Sequence, residues 1–136
     1  LKVQREGRSF TVEVTADGEG LVSHAGTALL GEVADKCGLT KALSRELSPM
    51  RERRSGHDPG HVVRDLATML ASGGEALTDL GALREQAPLF GEVASDSTAY
   101  RVIERIASEP ELTEGLRAAR KEARERAWEL GLAPER

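Results

Sequence analysis

A chain of 136 residues with 39% hydrophobic and 31% charged residues fits one domain with a real core, and its formal net charge of −4 argues against a uniformly basic nucleic-acid coat. Only four residues are aromatic (Phe10, Phe90, Tyr100 and Trp128), so the core has to be built from Leu, Val, Ile and Ala, which favours helices. No apolar run approaches the ~20 residues that span a bilayer, the opening LKVQREGR lacks the apolar stretch of a signal peptide, and Cys37 has no second cysteine to pair with, so a cytoplasmic protein without disulfides is expected.

In chain order, the first residues alternate as strands do. Phe10, Val12 and Val14 share one face, and turn signals stand at Glu6-Gly7 and Asp17-Gly18. Residues 1–25 therefore read as a small β-hairpin or meander. Asp17 and Glu19 in that turn read as turn formers rather than a metal pair.

From Leu30 to Arg54 the pattern is helix, tight turn, second helix, then a cluster of arginines. The first helix is expected over about Thr27 to Cys37 and the second over about Lys41 to Leu47. Val33, Cys37, Leu39 and Leu47 supply apolar contacts, and Ala34 is the small residue at the crossing. Gly38 stands where a helix ends in a left-handed residue, and Thr40 is placed to cap the second helix. Ser44 falls where a buried aliphatic would be expected. The positive charge is local: Lys41, Arg45, Arg51, Arg53 and Arg54 face only Glu46 and Glu52. This is the signature of a helix-turn-helix whose second helix meets DNA, with Thr40 and these five cations as candidate contacts. A plain αα-hairpin with a solvated basic end fits the same residues.

Asp58 and Pro59 announce a third helix, with Val62, Val63, Leu66, Met69 and Leu70 on its core face up to Gly73-Gly74. His57, His61 and Asp65 are spaced four apart, but the cap at Asp58 breaks the row, so no metal site is read there. No Ser, His and Asp form a recognisable triad. A fourth helix over about Ala76 to Glu85 turns Leu77, Leu80 and Leu83 inward, and Leu89-Phe90 reads as an apolar plug beneath the helices. Ala94 to Ile106 makes a further helix capped at Ser95 or Asp96, with Val102, Ile103 and Ile106 buried. Its exposed Ser97, Thr98, Arg101 and Arg105 are what a recognition helix carries, and form a second candidate set of DNA contacts. The rival reading is an ordinary capped core helix.

The last element is the most regular. Ser108 to Glu111 makes a capping box with Pro110, and Leu112, Leu116, Ala119, Ala123 and Leu130 draw a narrow stripe. The fold class is thus mainly α: an N-terminal β-hairpin (1–25), a helix-turn-helix-like domain (26–108) and a long connector helix (109–136).

The words VTADGEGLVSHAGTALL, DKCGLTKAL, RRSGHDPG, GGEALTDLGALREQ and LFGEVASDSTAYRV, followed by an Arg/Ala-rich helix, resemble the N-terminal region of bacterial insertion-sequence transposases of the DDE class, the transposase DDE domain group 1 family. The resemblance runs from about Val12 to Trp128. It implies a nucleoid-associated protein whose helical region binds double-stranded DNA at the element's terminal inverted repeats, with a second copy or the full-length transposase as a further partner. It also implies that the catalytic carboxylates, which hold divalent metal such as Mg2+, belong to a later RNase H-like domain. No acid of this chain is carried over as catalytic, and no cofactor is expected in it. The chain reads as a truncated transposase, starting at Leu rather than Met and stopping before the D-x-D strand. The competing expectation is a helical protein–protein assembly module that does not touch DNA.

Overall fold

The computed structural model describes residues 2–4, 11–13, 25–51 and 56–134. A 3-10 turn (Ala25–Thr27) leads into α1 (Ala28–Lys36), followed by α2 (Leu39–Glu46), a 3-10 turn (Ser48–Met50) and α3 (Pro59–Ala71). A third 3-10 turn (Leu77–Asp79) precedes α4 (Leu80–Arg84), α5 (Ala87–Phe90), α6 (Asp96–Ser108) and α7 (Pro110–Glu129).

The N-terminal expectation needs correction. Among the described residues the fold is helical, and no β-hairpin or meander forms a layer of it. Strand structure among the described residues is limited to Lys2–Gln4 against Thr11–Glu13, three residue pairs in antiparallel register. The register supplies the reason. Val3 opposite Val12 is the one apolar pair, while Lys2–Glu13 and Gln4–Thr11 are polar. So short a ribbon cannot sustain a sheet. The turn signals at Glu6-Gly7 and Asp17-Gly18 lie outside the described residues.

Local chemistry sets most helix boundaries. Gly38 takes φ +74°, and its N–H donates to the Asp35 carbonyl at 3.0 Å, which ends α1 and lets α2 start one residue later. Asp58 caps α3 by accepting from the Gly60 N–H at 2.8 Å, with Pro59 in the first turn. Ser95 caps α6 by accepting from the Thr98 N–H. The expected box at Ser108 does not form: the Ser108 hydroxyl donates back to the Arg105 carbonyl, and α7 starts after Glu109 with no side-chain cap.

α2 is the centre of the molecule, and its Ala42 and Leu43, with Leu47 just beyond it, are almost fully enclosed. The core continues through Val62, Leu66 and Met69 of α3, Leu80 and Leu83 of α4, the Phe90 plug, Val102 and Ile106 of α6, and Leu112 and Ala119 of α7. Two close crossings hold α2 in place. A Cβ at Gly60 of α3 would stand 2.3 Å from the Ser44 backbone N, and one at Gly115 of α7 would stand 3.2 Å from the Glu46 Cβ. Gly60 is therefore what lets α3 pass this close to Ser44 of α2. Three residues read as core face outward instead: Val33, Leu70 and Ile103 are 50%, 58% and 42% exposed.

A buried polar network ties α1, α2 and α3 together. Arg64, 2% exposed, donates through Nε and Nη2 to the Asp65 carboxylate at 3.2 and 2.7 Å, and its Nη1 lies 3.6 Å from Asp35. Thr40 donates its hydroxyl to the same Asp35 oxygen at 2.5 Å, and Thr68 donates to the Arg64 carbonyl. Desolvating these charges is costly unless every one is answered, so the network specifies one arrangement of the three helices.

Candidate nucleic-acid interface

The two candidate sets stand in very different places. In the helix-turn-helix set, Thr40 is buried and bonded to Asp35, in place of the expected capping role. Arg45 reaches across to α7, where Nη2 lies 2.6 Å from Glu122 Oε2, and it also holds Glu46 Oε1 at 3.0 Å. These bonds raise the Arg45 pKa, chiefly through the hydrogen bond to Glu122, and Arg45 in turn holds the Glu122 carboxyl below its ordinary range. Arg51 lies 3.7 Å from Asp58 Oδ2. Lys41 points to solvent. Arg53 and Arg54 lie outside the described residues.

In the α6 set, burial of Ala99, Val102 and Ile106 on one side leaves Ser97, Tyr100, Arg101 and Glu104 on the other. Ser97 is exposed, Thr98 is half-buried, and Arg101 donates through Nη2 to the Thr98 hydroxyl at 3.2 Å. No carboxylate among the described residues pairs with Arg101. Asp96, the acid beside them, is answered by Arg84 of α4, Nη2 to Oδ1 at 2.5 Å. Arg105 turns away from this face, donating from Nε to Glu109 at 2.8 Å and from Nη1 to the Met50 carbonyl.

Two concave features complete the surface. An apolar groove of about 340 Å³ lies between α1, α3 and α7, lined by Leu30, Val33, Cys37, Ala67, Ala123 and Arg124. A second groove, about 230 Å³, brings together Arg51, His57, Asp58, His61, Asp65 and Glu92, with His57 Nε2 4.0 Å from Glu92. Asp65 in it is taken up by Arg64.

A model of the family described as Transposase DDE domain group 1 matches residues 4–131, nearly the whole chain. The chain belongs to the transposase DDE domain group 1 family. No curated protein and no solved structure matches it significantly. The metal of DDE chemistry does not fit the residues described for this family member. Among them no group of three or more His, Cys, Asp or Glu could hold an ion. Asp35 and Asp65 are both turned onto Arg64. No helix among the described residues is long and apolar enough to cross a membrane.

Proposed function

We propose that this chain is the DNA-end-binding region of a DDE transposase and that it reads DNA through α6. One observation carries the choice of helix: Ser97, Thr98 and Arg101 stand on an exposed face without a carboxylate partner among the described residues, whereas Thr40 and Arg45 are consumed by bonds that hold α2 to its neighbours. Short hydroxyls at a helix start suit phosphate oxygens, and an arginine one turn on can reach a guanine edge. Lys41, Arg51, Arg53 and Arg54 are proposed as further phosphate contacts, with Arg105 positioning the α6–α7 corner. The ligand proposed is the element's terminal inverted repeats, and membership of the transposase family supports it.

The reading is tested by fluorescence anisotropy of a labelled inverted-repeat duplex against a scrambled duplex. The expected result is preference for the inverted repeat. Arg101→Ala should weaken that complex about ten- to a hundredfold, as loss of a base-edge contact does, and narrow the preference. Equal, salt-insensitive, millimolar binding to both duplexes would overturn it. A second reading, assembly of transposase protomers, is favoured by the apolar groove between α1, α3 and α7. That reading predicts that Arg101→Ala changes nothing and Val33→Asp abolishes association.

A further inference from the structure

α7 is divided lengthwise into three sectors. At about 100° per residue, Leu112, Gly115, Ala119 and Ala123 fall on the side packed against the body. Glu111, Glu114, Glu122, Glu125 and Glu129 fall together on one flank. Arg117, Arg120, Lys121, Arg124 and Trp128 fall together on the other, with no acid among them. Arg126 is the exception, on the core-facing sector past Ala123, where it pairs with Glu129 at 2.9 Å.

The two charged flanks are not equally satisfied. Glu122 is held by Arg45 of α2, Glu114 lies 3.2 Å from Arg117, and Glu125 lies 3.9 Å from Lys121. Arg120 and Arg124 are exposed and have no carboxylate partner among the described residues. Arg124 lies over the Trp128 ring, 5.6 Å from its centroid, a stack that restrains the guanidinium while leaving its edge N–H donors unused. Among the described residues, most of the acids that a second copy of this chain could offer are engaged already. A polyanion offers what the flank lacks.

We infer that the Arg117–Arg124 flank of α7 is a docking surface for the phosphate backbone of duplex DNA, separate from the base-reading face of α6. The inference rests on the DNA-binding reading above and extends it to a second surface. From Arg117 to Arg124 the helix rises about 10 Å, enough to lie along two or three successive phosphates of one strand. Contacts of this kind carry no sequence information, so they strengthen binding to any duplex.

The test is a salt titration of the full chain by anisotropy, on inverted-repeat and scrambled duplexes. Replacing Arg117, Arg120, Lys121 and Arg124 with Ala should weaken both complexes alike, at least about tenfold, and reduce the log–log salt slope by about 3 to 4 units. The pair Arg120→Ala and Arg124→Ala, which removes no ion pair, should give about half that loss of slope, and it keeps the test usable if the fourfold variant loses its helical circular dichroism. Arg101→Ala should instead alter the preference between duplexes. Unchanged slopes in the α7 variants with Arg101→Ala still defective would overturn this inference and leave the α6 reading standing. No binding by the wild-type chain would overturn both. Loss of self-association by sedimentation, with DNA binding intact, would give the flank to a second copy instead.

Discussion

Ser44 and Gly60 show how a single position can be governed by a residue far away in sequence. Judged on α2 alone, Ser44 is a weak choice for a buried face. Its place against α3 makes Gly60 the constrained residue, because a Cβ there would come within 2.3 Å of the Ser44 backbone N, which cannot swing away. Gly60→Ala should therefore destabilise the domain by roughly 1–3 kcal/mol, read as a lower urea midpoint with unchanged m. Gly81→Ala, where nothing lies within 4 Å, serves as the neutral comparison. Arg64 and Asp65 were invisible for the same reason. A charged pair on a helix reads as solvent-facing until the other helices that enclose it are known. By contrast, the left-handed Gly38 and the caps at Asp58 and Ser95 were legible, since each depends on residues within three positions of itself.

At the scale of elements, periodicity found the helices and their core faces but not their neighbours. Val33, Leu70 and Ile103 lie on apolar stripes, yet no helix covers that part of the stripe. The first candidate reader, α2, was recognisable as the partner of α1 across a Gly turn. Its burial under both α3 and α7 was not, because those contacts come from distant parts of the chain. The bridge from Arg45 to Glu122 now fastens α2 to α7 and gives a pH dependence of definite sign. Arg45 holds the Glu122 carboxyl below its ordinary value of 4.5, so the bridge contributes its full stability above that value and loses it as pH falls through the depressed one. Melting curves taken from about pH 6 down to about pH 2.5 should show the wild-type midpoint falling, and Glu122→Gln should be less stable at the upper end and fall less. Equal falls in both proteins would remove the bridge from the account.

For the molecule as a whole, the net charge of −4 conceals an arrangement in which acids and bases are sorted by face. The three-sector pattern of α7 could be read from the sequence once a helix was assumed. Which flank was free could not, because Glu122 is answered by α2. The family was legible from separated sequence blocks in the right order, and the match over residues 4–131 agrees with them. The central claim is that DNA bases are read by α6 and not by α2. It is tested most directly by photocrosslinking the full chain to an inverted-repeat duplex carrying 5-iodouracil in place of thymine, with the adducts mapped by mass spectrometry. Tyr100, 55% exposed beside Arg101, is the aromatic side chain on that face. The account predicts an adduct on the peptide that carries it, lost in Tyr100→Ala. Adducts confined to residues 39–46, or none under saturating protein, would contradict it.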